Sequence, residues 1–282
     1  MPDPSSHCEG LVRTADKDRF LATLFAPAEH RASLFALYAF NIEVARVREV
    51  VREPLAGEVR LQWWSDVLSG GGRGDVEGNP VAAALRAAIA RHGLSQERLK
   101  ALLEARRFDL YDAPMATLAD LEAYASGASA GLIALAGQIL NSGRAPDDML
   151  VRHAGLAYAI AGLLRAFPTH AARGQIYVPI EILRRHGADR QDVVGGRATP
   201  ELRAALAELR LIARHHLGEE QARIGAAPSA LGPALLPVAP VGATLARMER
   251  RGYDPFVPEE IAQWRRQWLI WRAARRPSRI FD

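Results

Sequence analysis

Glu49 and Glu53 stand four residues apart in a stretch of helical periodicity. That spacing puts two carboxylates on one helix face, where they can share a divalent cation such as Mg2+. Arg46, Arg48 and Arg52 crowd the same stretch and Pro54 follows, so a salt-bridged helix end that stops at the proline is the simpler alternative. His215 with Glu219, and His216 with Glu220, have the spacing of helical metal-ligand pairs. They lie in a charged segment whose apolar contacts come from Leu209, Leu211 and Ile212, and a solvated helix face accounts for them with less. His170 offers an imidazole that suits a transition metal better than Mg2+, or a hydrogen bond inside a packed helix end.

Two aromatic groupings stand out beside these. Trp63 and Trp64 are adjacent, so they point in different directions on a helix and at least one is expected in the core. Trp264, Trp268 and Trp271 form an i, i+4, i+7 stripe flanked by Arg265, Arg266, Arg272, Arg275 and Arg276. Such a stripe either packs against the rest of the protein or lies on a membrane surface.

The elements that must position these groups are helices. No β alternation of useful length occurs, and the class is all-α. Helices are predicted over residues 16–24, 28–51, 58–70, 81–92, 95–112, 118–140, 147–167, 179–186, 200–224, 234–251 and 258–275, several with a first-turn proline, as at Pro80, Pro179, Pro200 and Pro258. Residues 70–75 and 187–199 read as loops. No fixed-period repeat and no composition break divides the chain, so residues 1–282 are expected to form one helical domain, with residues 1–12 flexible.

Composition narrows the function classes. An apolar fraction of 49% with 24% charged residues suits a globular protein with a sizeable core. Lys17 and Lys100 are the only lysines among 36 basic residues, and the net charge is +4. The arginines are interleaved with acids in the manner of a GC-rich bacterial genome, which argues against a nucleic-acid surface. Cys8 is the sole cysteine, which excludes an intrachain disulfide and a multi-cysteine zinc site. The first residues carry neither a secretory nor a transit signal, so a cytoplasmic protein is expected. Residues 224–246 are uncharged and long enough to span a bilayer, but Pro228, Pro233, Pro237 and Pro240 argue against a continuous lipid-exposed helix.

Four segments in order, LFALYAFNIEVARVRE (34–49), GEVRLQWWSDVL (57–68), YASGASAGLI (124–133) and GLAYAIAGLLRAFPTHAARGQIYVP (155–179), resemble the squalene/phytoene synthase family. The resemblance implies a single isoprenoid-synthase-like helical bundle around a central cavity. It also implies head-to-head joining of two prenyl diphosphates, with Mg2+ held by two aspartate-rich motifs. Matched to those motifs, the aspartate positions fall on Ala45 and Glu49 in the first and on Ala166 and His170 in the second. Only Glu49 keeps a carboxylate. The family's upstream glutamine and asparagine fall on Ala159 and Gly162. Tyr124, Gly127, Gly131, Gly155, Arg165, Arg173, Gly174, Tyr177 and Pro179 are retained, and Tyr124, Gly127, Arg165, Arg173 and Tyr177 are the candidate pocket residues.

Metal ions that neutralise a departing diphosphate contribute several kcal/mol, so losing both ligand sets is expected to cost roughly a thousandfold in rate or more. The resemblance therefore carries no catalytic residue and no metal here. Mg2+ enters only if the chain is a prenyltransferase whose acids are displaced. LLRAFPTHAARGQIYVP, FLATLFAP and RLQWWSDVL resemble one branch more closely, the relatives of mitochondrial complex I assembly factor 6. That likeness implies a non-catalytic protein whose partners are complex I subunits or assembly intermediates. A prenyl or lipid ligand in the retained cavity is a further expectation, as is peripheral contact with the inner face of the cytoplasmic membrane.

Overall fold

The structure, a computed structural model, describes residues 3–51, 53–71, 78–111, 113–276 and 280. The chain is 74% helical, and no strand occurs among the described residues. The helices are α1 (Pro4–Ala15), α2 (Lys17–Leu24), α3 (Ala28–Ala45), α4 (Val47–Val50), α5 (Pro54–Leu68), α6 (Pro80–His92), α7 (Gln96–Phe108) and α8 (Leu118–Ala125). A π turn (Ser126–Ala130) leads into α9 (Gly131–Leu140). Then follow α10 (Asp148–Arg165), α11 (Phe167–Ala172), α12 (Ile180–Arg185), α13 (Arg190–Val194), α14 (Pro200–Ile224), α15 (Gly232–Leu235), α16 (Val241–Met248) and α17 (Gln263–Arg275). Most of the predicted loop at 70–75, together with Arg52 and Asp112, lies outside the described residues.

Residues 4–12, expected to be flexible, are instead helical. The Asp3 side chain accepts from the Ser6 amide to cap α1, and Pro4 occupies its first turn. Cys8 and Val12 are fully buried in the main core. Burial, with the charges of Glu43 and Asp3, pushes the Cys8 thiol up to about 12.

Proline places several boundaries differently from the periodicity. Glu53 precedes Pro54 and is extended (φ −109°, ψ 135°), as the proline ring requires of its neighbour. Pro54 therefore starts α5 rather than ending the helix before it. The helix predicted over 28–51 also breaks at Arg46, leaving α4 as one turn. Pro233, Pro237 and Pro240 divide the uncharged segment into short turns. Residues 118–140 and 229–248 are each long and apolar enough to span a membrane, yet both are largely buried inside the protein.

The centre of the molecule is built on α10. It runs antiparallel to α14: His153 meets His216, while Leu164 and Leu209 share a cavity wall. Its other side rests on the π turn. A Cβ on Gly155 would sit 2.3 Å from the Cα of Ala130, so only glycine permits this crossing. On the far side of the same turn, a Cβ on Gly127 would sit 2.9 Å from the carbonyl oxygen of Ala101 on α7. The small residues of 126–131 thus let α7 and α10 close on one segment.

Candidate functional site

A cleft of about 260 Å³ opens where the C-terminal ends of α3, α7 and α10 meet α8 and the π turn. Its wall carries Arg48, Arg106, Arg165 and Arg173 against the carboxylates of Glu49 and Asp109. With four guanidiniums to two acids, the cleft favours an anion.

Asp109 follows α7 and lies almost wholly inside the protein. The Tyr177 hydroxyl donates to its Oδ1 at 2.7 Å, and the Tyr124 hydroxyl lies 3.3 Å from its Oδ2. Arg106 Nη1 donates to the same Oδ2 at 3.2 Å and to the Tyr124 oxygen at 3.1 Å. Gln175 Nε2 reaches the Asp109 carbonyl oxygen at 3.4 Å. Burial, and for Tyr177 the charge of Asp109, holds both phenols above the usual tyrosine range, so they donate and do not ionise. Burial opposes the charge on Arg106, but Tyr124 and Asp109 beside it hold the guanidinium above its ordinary pKa.

The second motif reaches this network through its turns. Pro168 has no amide to continue α10, so the helix ends with Ala166 as its cap. Gly174 adopts φ +72°, the Gly174 amide bonds to the Ala171 carbonyl, and the Gln175 amide bonds to the His170 carbonyl. This left-handed stop to α11 turns Gln175 and Tyr177 back toward Asp109. His170 packs its ring on Tyr177 with centroids 4.6 Å apart. Burial lowers its pKa, against the opposing pull of Asp109, leaving a neutral ring in a packed corner.

Ala45, Glu49 and His170 line the cleft, as do Tyr124, Arg165, Arg173 and Tyr177. Ala166 does not. Gly127 lines a different space, an open groove of about 1050 Å³ between α7 and α8, with Ala101, Ala105, Ala123 and Met115. Tyr124 borders both. Glu49 and Glu53 fall on different elements because Val51 and Glu53 are extended. The shared cation site that their spacing allowed is therefore not formed. Glu49 instead approaches Arg173, at 3.8 Å.

Of the two histidine-glutamate pairs, His215 and Glu219 lie toward solvent as expected, and the other is placed differently. His216 and Glu220 are buried rather than on a solvated face, and Glu220 is completely enclosed. His153 Nδ1 and His216 Nδ1 are 2.9 Å apart. Burial and the neighbouring His153 lower His216 to about 4. No group of three His, Cys, Asp or Glu side chains converges as a metal-ligand set among the described residues.

Arg106, Asp109 and Gln175 escaped the sequence reading. Their one local signal is the Arg106–Asp109 spacing at a helix end, which resembles any surface ion pair until Tyr124 and Tyr177 are brought onto it.

Residues 12–272 match the family model described as squalene/phytoene synthase. A Homo sapiens protein, NADH dehydrogenase (ubiquinone) complex I, assembly factor 6, is 30% identical over 252 residues, spanning 89% of this chain and 76% of that protein. A phytoene synthase of Thermus thermophilus is 26% identical over 278 residues, spanning 95% of this chain and 93% of that one. Among solved structures, the squalene synthase HpnC of Alicyclobacillus acidocaldarius superposes with a TM-score of 0.77 at 24% identity, covering 90% of this chain and 95% of that one.

Proposed function

The chain belongs to the squalene/phytoene synthase family, and we propose that within it this protein is a non-catalytic member that supports the assembly of respiratory complex I. The observation that carries this reading is the state of the cleft's buried acid. Asp109 is occupied by Tyr177, Tyr124 and Arg106, while alanines stand at positions 45 and 166. Mg2+ requires oxygen ligands in near-octahedral array. Here Glu49 leans on Arg173 and Asp109 is engaged by three donors, so the residues present do not fit a Mg2+-diphosphate centre.

The likeness to complex I assembly factor 6 over most of the chain supports the assembly role. Its partners on this reading are complex I subunits or assembly intermediates, met in the cytoplasm at the inner face of the membrane.

Two measurements test this. An affinity-tagged chain purified from its source organism should bring down complex I subunits, and deletion of its gene should reduce complex I activity. Purified protein incubated with farnesyl or geranylgeranyl diphosphate and Mg2+ or Mn2+ should release no more diphosphate than a Glu49→Gln/His170→Ala control. Turnover above that control restores a prenyltransferase that joins prenyl diphosphates.

The groove beside Tyr124 favours a second reading, a non-catalytic isoprenoid or lipid binder. Its volume of about 1050 Å³ is at the upper end of ligand-site sizes, on the order of 300–1,000 Å³. Native mass spectrometry of the purified chain would reveal a copurified apolar ligand, and a ligand-free spectrum would remove this reading.

A further inference from the structure

We propose that α17 is a docking surface for an anionic lipid bilayer, on which it lies flat with its tryptophans in the headgroup layer. The helix has two unlike faces. On one, Ile270 and Ala273 are buried, and Arg266 donates to both carboxylate oxygens of Asp18 in α2. That face is anchored to the protein. On the other, Trp264, Trp268 and Trp271 are 70%, 48% and 46% exposed. At 3.6 residues per turn the three rings fall within about 60° of arc, opposite the anchored side. Three tryptophans turned to solvent from one helix are not explained by packing, because burial is what a side chain of that size contributes.

The charge of the surface selects the partner. α17 contains no Asp or Glu; apart from Arg266, which Asp18 neutralises on the anchored face, Arg265, Arg272 and Arg275 lie within it and Arg276 caps it. Arg272 lies over the Trp268 ring at 5.2 Å, and Arg275 over Trp271 at 4.8 Å. Each pair sets a cation on an amphipathic ring, an arrangement that matches the boundary where acyl chains meet phosphate. A helix of 13 residues is about 20 Å long, too short for a hydrocarbon core of about 30 Å. It therefore lies on the surface rather than crossing it.

The test uses the full chain and sucrose-loaded vesicles of phosphatidylcholine alone or mixed with phosphatidylglycerol. Cosedimentation and tryptophan fluorescence are the readouts. Wild-type protein should sediment with the mixed vesicles and not with the neutral ones, with a blue-shifted emission, and added salt should weaken the association. Trp268→Ser/Trp271→Ser should lower the partition coefficient about tenfold or more, and Arg272→Glu/Arg275→Glu should do likewise. Trp268, Trp271 and Arg275 are exposed and Arg272 is half-buried, and unchanged thermal melts would establish that both variants fold. Leu55→Ser/Val59→Ser removes apolar groups exposed elsewhere, on α5, and should bind as wild type. Failure of wild-type protein to bind mixed vesicles, equal binding to neutral ones, or undiminished binding by the two α17 variants would each overturn the proposal. So would loss of binding in the α5 variant alone.

Discussion

The Tyr177 hydroxyl donates a 2.7 Å hydrogen bond to Asp109, a residue 68 positions earlier in the chain. This contact ties the end of the second motif to the end of α7 and takes up one oxygen of the cleft's buried carboxylate. Hydrogen bonds to charged groups contribute about 1.5–3 kcal/mol. Tyr177→Phe should therefore lower unfolding stability within that range in a urea titration. Asp109→Ala should cost more, about 3–5 kcal/mol, because it leaves the mostly buried Arg106 without its counter-charge. If the alanine variant were as stable as wild type, Asp109 would not be the centre of the network.

Two glycines of α10 should respond oppositely to alanine. Gly155→Ala drives a methyl into the backbone of Ala130 and should destabilise by about 1–3 kcal/mol or more. A Cβ on Gly162 meets nothing within 4 Å. Gly162→Ala should stabilise by up to about 1 kcal/mol through helix propensity. Paired thermal melts decide the matter, and equal shifts would contradict the close crossing on the π turn.

Glu220 is fully buried and neither of its carboxylate oxygens has a partner among the described residues. Glu220→Leu should raise stability by about 1–3 kcal/mol at neutral pH, the cost of a buried polar group left unpaired. Burial holds the carboxyl well above its ordinary value of 4.5. In that window the folded state keeps a proton that the unfolded chain releases, so this group's effect on stability worsens as pH rises from 4.5 and levels off above the folded pKa. The gain from Glu220→Leu should consequently be larger at pH 7 than at pH 4.

The histidine pair has the opposite sign. His216 falls from 6.5 to about 4 in the folded state, so between those values the unfolded chain binds more protons. Its contribution is present above pH 6.5 and is lost as pH falls through about 4. In the Glu220→Leu background, stability should climb with pH across this window, and His216→Gln should flatten the climb. An unchanged slope would place the titration elsewhere.

Cys8 should react with a thiol reagent only on unfolding, because its side chain is enclosed and its thiol is pushed up to about 12. Rapid labelling of native protein would mean that α1 opens readily from the core.

The helices were legible where the pattern is local. Residues 17–24, 80–92 and 200–224 begin and end close to where periodicity and caps put them. The break at Arg46 and the π turn were not, because a few residues of altered winding leave the apolar spacing almost unchanged. At Pro54 the sequence carries the right signal, the restriction on the residue before proline, but that restriction suits the end of one helix and the opening of the next alike. His216 and Glu220 were misplaced for another reason. A charged helix reads as solvated unless one knows that α10 lies along it.

That the chain is all-α and that it resembles the squalene/phytoene synthases is legible in its residues alone. Helical hydrogen bonds close within four residues and the four motifs keep their order along the chain. The fold alone brings Asp109 against Tyr124 and Tyr177, parts Glu49 from Glu53, and turns the tryptophans of α17 outward. Each of these depends on how one helix crosses another, a crossing set by side-chain packing between residues far apart in sequence.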